Sequence, residues 1–396
     1  MRTRAQDCHP APAAGTLRAM SSSPVLWVSE PAVLQSHLAT APARVGIDTE
    51  FIRERTYWPQ LSLVQVALEA GPASAPAILL LDMLAPGMPE ALAPLLADVS
   101  VTKVMHSASE DLVALRRTCN ALPEPLFDTQ IAAGLAGVGA GVGYQRLVQD
   151  LLGIAVDKGE TRSDWMKRPL SASQLAYAAD DVRHLFALHD ALSGRLAALD
   201  RRDWFDEDCA RLLDNARSDE GERWPHLSLR SAQFLDDAGQ RRLLRLLRWR
   251  DGQARRSDRP RTWVLDNDLA TTLAREAPGD LDALERLFQA HPKAPRKLAA
   301  LVWEALDTPL PDEDQAPAPR TSERDRKALR RLQDAVAARS GELGLPDGVL
   351  ASRRWLEYLL DGEDWPGLLS GWRRGQLEPA LAPLLQPAGG ADATSV

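Results

Sequence analysis

At about Asp200 the sequence changes texture, and a chain broken in this way folds as bodies of different architecture. Up to that point short apolar runs alternate with helical patterns. Residues 25–28, 61–68, 77–81 and 102–106 read as strands, with 126–127 a last short one. Helices are expected over 31–40, which has proline at its start, and over 89–97. Two more are expected from 107–110 to 119 and from Asp128 onward, and 173–199 reads as one long helix. Alternation of this kind indicates an α/β domain with a mixed sheet. After Asp200 the strand patterns vanish, and Arg, Leu, Asp and Trp recur at helical spacing. Residues 227–310 read as one helical module. A Pro- and acid-rich stretch over 311–320 reads as a linker, and 321–387 as a second helical unit.

The 396 residues suffice for two or three domains, and a hydrophobic content of 45% is ordinary for globular protein. No run approaches the ~18 apolar residues of a membrane span. The first 22 residues mix Arg, Pro, Ala and Ser without an apolar core, so they read as a loose tail rather than a secretory signal. A second tail is expected over 388–396. Cys8, Cys119 and Cys209 form no Cys-x-x-Cys pair, which argues against a disulfide framework or zinc site and suits a reducing cytoplasm. The net charge of −8 means that any surface for a polyanion must be local. Five glycines between Gly134 and Gly143 suggest a phosphate loop, but no Gly-x-x-x-x-Gly-Lys-[Ser/Thr] occurs, so they read as a flexible connection.

Three acidic stretches carry the chemistry. Val45 to Ile47 runs into Asp48-Thr49-Glu50-Phe51, and strand alternation puts Asp48 and Glu50 on one face. Two carboxylates side by side on a rigid element repel, and a divalent cation between them is the commonest remedy. An isolated pair of this kind more often ends a strand in water. In His106-Ser-Ala-Ser-Glu-Asp111 a serine is expected to cap a helix carrying Glu110 and Asp111 in its first turn, where acids also suit the helix dipole. In Tyr177-Ala-Ala-Asp-Asp181 the tyrosine and the second aspartate lie four apart on one helix face.

This order, with Asp48-Thr-Glu-Phe-Ile-Arg-Glu-Arg-Thr-Tyr-Trp-Pro-Gln-Leu, Pro125-Leu-Phe-Asp-Thr-Gln-Ile, Asp157-Lys-Gly-Glu-Thr-Arg-Ser-Asp-Trp and Arg168-Pro-Leu, resembles the DEDD superfamily of 3′→5′ exonucleases in its tyrosine-bearing branch, and within it the ribonuclease D family. The likeness covers residues 24–200 and implies a ribonuclease H-like fold, with the exonuclease domain over 23–205. It implies two divalent ions, Mg²⁺ or Mn²⁺, held by Asp48, Glu50, Asp111 and Asp181. Asp48 would bridge both ions, and Tyr177 would orient the attacking water. Hard cations want oxygen ligands, which suits four carboxylates. Arg53, Arg55, Lys158 and Arg162 are candidates for phosphate contacts, and Tyr57 and Trp58 for stacking on a base.

Residues 241–261 hold nine arginines against two aspartates. At 100° per residue Arg241, Arg245, Arg248, Arg255 and Arg259 share a face opposite Leu243, Leu244 and Leu247. With Asp258-Arg-Pro-Arg-Thr-Trp-Val-Leu, the stretch resembles the core of an HRDC domain, placed over 227–310, and 321–387 resembles a second one more loosely. The resemblance implies a cytoplasmic exoribonuclease, with no membrane association, acting as a monomer on RNA. Its expected substrates are tRNA precursors with a single-stranded 3′ end and other structured RNAs. A DNA exonuclease on the same scaffold and a non-catalytic RNA-binding protein are the alternative readings.

Overall fold

The computed structural model describes residues 24–39, 42–69, 75–157, 159–160, 163–218, 220–317, 326–362 and 364–385. The expected tails over 1–22 and 388–396, the end of the expected linker at 318–320, Lys158 and Arg162 lie outside them.

The first half is β1 (Val25–Val28), α1 (Pro31–His37), β2 (Arg44–Ile52), β3 (Gln60–Leu68), β4 (Ala77–Asp82), α2 (Met88–Ala97), β5 (Thr102–Met105), α3 (Ser109–Cys119) and β6 (Leu126–Asp128). Helices α4 (Thr129–Leu135), α5 (Tyr144–Leu152), α6 (Ala172–Arg183), α7 (Leu185–Ala198) and α8 (Arg202–Arg217) follow. The six strands form one mixed sheet in the order β1-β4-β3-β2-β5-β6. β3 runs antiparallel to both neighbours, and the other pairs are parallel. Both faces are covered, so β3 and β4 are buried almost throughout. On one face Val45, Ile47, Val64 and Val66 pack under α1–α3; on the other, Leu63, Ala67 and Leu80 pack with Val182, Leu185 and Leu188 of α6 and α7.

The stretch expected as one long helix over 173–199 is two helices, broken at His184. The expected serine cap of α3 is not made either. Its N-cap is Ala108, without a side-chain bond, and Asp128 accepts from the backbone N–H groups of Ser107 at 3.2 Å and Ala108 at 2.8 Å. The same buried carboxylate caps α4 through Gln130 at 2.8 Å and Ile131 at 3.1 Å, so one aspartate orients two helix starts.

The helical half continues with α9 (Asp237–Ser257), α10 (Arg261–Val264), α11 (Asn267–Glu276), α12 (Leu281–Ala290) and α13 (Ala299–Asp307), then α14 (Arg326–Leu343), α15 (Arg353–Leu360) and α16 (Trp372–Leu385). Helices α9–α13 have their own apolar centre, with Leu243, Leu273, Leu284, Phe288 and Val302. Helices α14–α16 do not. Leu332, Leu350, Leu377 and Leu381 join the cluster that holds Phe127, Leu188 and Phe205 of the first half. Trp372 stacks on Trp204 of α8 at 4.4 Å, and Arg373 pairs with the buried Asp208 at 2.5 Å. In the stretch expected as a linker, residues 313–315 form a turn of 3₁₀ helix on α9.

Candidate active site

Strand β2 sets the frame. Its alternation sends Val45, Ile47 and Thr49 to one face, and Gly46, Asp48 and Glu50 to the other. Gly46 marks a close approach. A Cβ there would meet Leu185 of α7 at 3.2 Å and Ala67 at 3.2 Å, so glycine lets the α6–α7 pair settle near the acidic strand without either neighbour giving way. Helix α6 is fixed at its start by a capping box between Ser171 and Gln174. It brings Asp181 over β2, and one carboxylate oxygen from each of Asp48, Glu50 and Asp181 lies within 4.8 Å of the others.

Among the described residues no lysine or arginine pairs with these three. Burial first, then the neighbouring carboxylates, pushes Asp48 far above the usual carboxylate range and Glu50 to about 9. Burial takes Asp181 to about 7 against the pull of its hydrogen bond with Tyr177. The site is short of positive charge and rich in oxygen donors, which fits divalent cations.

Asp111 arrives from the other layer. Helix α3 packs on the opposite face of the sheet, and the Asp111 carboxylate meets the strand through the Thr49 hydroxyl, which donates to it. It is buried and pushed up to about 6, chiefly by desolvation, and its charge bears on Asp48 and Glu50. The structure thus gathers three acids tightly, with the fourth beside them.

Tyr177 sits one turn before Asp181 and is hydrogen-bonded to it; burial and the neighbouring acids push its hydroxyl above the usual phenol range, so it stays protonated. The Trp165 ring lies 6.1 Å from it. Arg168 holds that loop down, donating to Trp165 O at 2.7 Å, Ser62 O at 3.0 Å and Asp82 at 2.7 Å. Tyr144 went unnoticed in the sequence. Its buried hydroxyl accepts from His184 N–H at 3.1 Å and donates to Asp180 O at 2.9 Å. These two groups would bond each other in an unbroken helix. A side chain inserted there accounts for the break between α6 and α7.

The expected RNA contacts fare differently. Tyr57 is only 5% exposed, so its ring is not offered to a base. Its hydroxyl donates to Asp251 at 2.9 Å and accepts from Arg261 at 2.7 Å. The Tyr57 and Trp58 amides donate to Asp258 at 3.1 and 3.0 Å, and Arg117 covers the Trp58 ring at 3.4 Å. This pair joins the β2–β3 loop to α9 and α10. Arg53 is engaged with Glu110 and Tyr57 O, while Arg55 is exposed. Along α9, Arg245 pairs with the buried Glu313 at 2.5 Å, Arg248 with Asp312 at 2.7 Å and Arg255 with Asp251 at 2.6 Å. Arg241 is a looser neighbour of Asp314 at 3.6 Å. The basic face is thus largely neutralised from within, mostly by the acids of the expected linker. Arg259 lies beyond the end of α9 and is exposed.

A family model described as 3′-5′ exonuclease matches residues 27–197, and one described as HRDC domain matches 240–306. The ribonuclease D of Xanthomonas oryzae pv. oryzae is 60% identical over 362 residues, covering 91% of this chain and 98% of that protein. The chain belongs to the ribonuclease D family. The ribonuclease D of Gluconacetobacter diazotrophicus is 38% identical, covering 83% of this chain and 84% of its own. The crystal structure of Escherichia coli RNase D, described as an exoribonuclease involved in structured RNA processing, superposes with a TM-score of 0.76 at 30% identity, covering 92% of this chain and 99% of that one. Like its ribonuclease D relatives, the chain is a 3′→5′ exoribonuclease, a hydrolase of phosphodiester bonds. Membership implies divalent metal use, and the HRDC domain suggests nucleic-acid binding. No described helix is long and apolar enough to cross a membrane.

Proposed function

We propose that this chain trims the 3′ ends of tRNA precursors and other structured RNAs, one nucleoside 5′-monophosphate at a time, with two Mg²⁺ or Mn²⁺ ions. The observation that carries the reading is the set of Asp48, Glu50 and Asp181, mutually repelling and unpartnered by any described lysine or arginine. Asp48, Glu50, Asp181 and Asp111 would hold the ions, with Asp48 shared between both, Glu50 and Asp181 on one side of it and Asp111 on the other. Bound divalent ions supply charge neutralisation at the phosphate and a more acidic water. Tyr177 stays protonated and orients the attacking water through its hydroxyl oxygen, not as the base. The chain works as a cytoplasmic monomer. Residues 23–205 form the exonuclease domain, 227–310 the HRDC domain and 321–387 a second HRDC-like unit.

The test is release of mononucleotides from a 3′-extended tRNA precursor while Mg²⁺ or Mn²⁺ is titrated. Asp48→Ala and Asp181→Ala should lose turnover by at least ~10³-fold with the fold retained by circular dichroism. Substantial hydrolysis by either variant would refute the assignment. Matched DNA and RNA oligonucleotides measure the sugar preference.

A further inference from the structure

Four cations of the HRDC domain that no described carboxylate opposes gather past the end of α9. A groove of about 580 Å³ opens between the end of α9, α10 and the turn before α13. Arg259, Lys293, Arg296 and Lys297 line it, all exposed, and none of its lining residues is an aspartate or glutamate. Arg296 touches Phe288 O at 3.4 Å, and no described carboxylate pairs with any of the four. By contrast, the cavity of about 490 Å³ between the two halves sets Arg53, Arg250 and Arg261 against Glu54, Glu222 and Asp251.

Trp263 also lines the groove and is 62% exposed, a costly position for so large an apolar ring unless something covers it. Val264 and Leu298, on its inner wall, pack with Tyr57 and Trp58, so the groove abuts the loop that leaves the acidic strand. An indole ringed by cations matches the alternation of base and phosphate in a single strand. An acidic protein surface would answer the charges but not the bare ring.

We propose that this groove holds an unpaired stretch of the substrate RNA upstream of the 3′ end, with Trp263 stacked on a base and Arg259, Lys293, Arg296 and Lys297 on flanking phosphates. The proposal rests on the exoribonuclease reading above and adds to it the place where the body of the RNA is held.

The experiment uses the full chain and a labelled hairpin with a 3′ tail of about 12 nucleotides. Binding is measured in an Asp48→Asn background, so the RNA survives. Trp263→Ala should weaken binding on the order of 10-fold. The double variant Lys293→Ala/Lys297→Ala should reduce the slope of log affinity against log salt by about 1.4, two phosphate contacts on a single strand. With Asp48 intact, both variants should hydrolyse a trinucleotide at the wild-type rate. Unchanged hairpin affinity and salt slope would overturn the groove, and so would poly-glutamate competing as well as RNA charge for charge. A wild-type chain that fails on the trinucleotide and the hairpin alike would instead overturn the exoribonuclease reading.

Discussion

At the scale of single residues, the site stores repulsion that its ligands relieve. Glu50 is pushed to about 9, Asp181 to about 7 and Asp111 to about 6, all above the carboxylate values of the unfolded chain. Between about pH 4 and about pH 9 the metal-free folded state therefore binds more protons than the unfolded state, so its stability falls as pH rises through that window. Divalent ions compete with those protons, so the gain in Tm on adding Mg²⁺ should grow with pH across the same window. Glu50→Gln should raise the metal-free Tm at alkaline pH by roughly 2–4 °C, about 1 kcal/mol for a domain of this size, and abolish most of the Mg²⁺-dependent gain. Thermal melts with and without Mg²⁺ at several pH values check both signs. A metal-free Tm that climbs from neutral to alkaline pH would contradict them.

At the scale of elements, what could be read from sequence was whatever depended on near neighbours. Asp48 and Glu50 are two apart on a strand, and Tyr177 and Asp181 four apart on a helix, so local geometry alone placed each pair. The break at His184 could not be read this way, because the hydroxyl that opens it comes from Tyr144, 40 residues away. The start of α3 was misassigned to a serine for the same reason, since Asp128 reaches it from 20 residues downstream. The arginines of α9 lay on the expected helix, but the acids that neutralise Arg245 and Arg248 sit more than 60 residues on. Tyr144→Phe tests the break directly. The ring keeps its packing while His184 N–H and Asp180 O lose their shared partner, so α6 and α7 shift toward one continuous helix and Asp181 is displaced. We expect turnover to fall about 10-fold and Mn²⁺ affinity by calorimetry to weaken, with a stability loss of only about 1–2 kcal/mol. Loss of stability with unchanged metal affinity would mean that the hydroxyl merely packs.

At the scale of the molecule, the HRDC domain meets the sheet domain at Tyr57 and Trp58, where Asp258 accepts two backbone N–H groups and Asp251 takes the Tyr57 hydroxyl. Asp258→Ala removes the first clasp and should let the HRDC domain swing. A larger radius of gyration by small-angle scattering is expected, with slower trimming of structured RNA and little change on a trinucleotide. An unchanged radius and unchanged trimming would show that the remaining contacts suffice.

The stacking of Trp372 on Trp204 has a consequence for biosynthesis. Synthesis on the ribosome runs from the N-terminus, so the catalytic sheet emerges long before α14–α16, which complete the same apolar cluster. Until α16 clears the exit tunnel, the flank around Trp204 lacks the part of its cover that Trp372 supplies. Ribosome-bound chains stalled before Trp372 should therefore be captured by chaperones and cut readily by protease, and full protection should come only with the final helix.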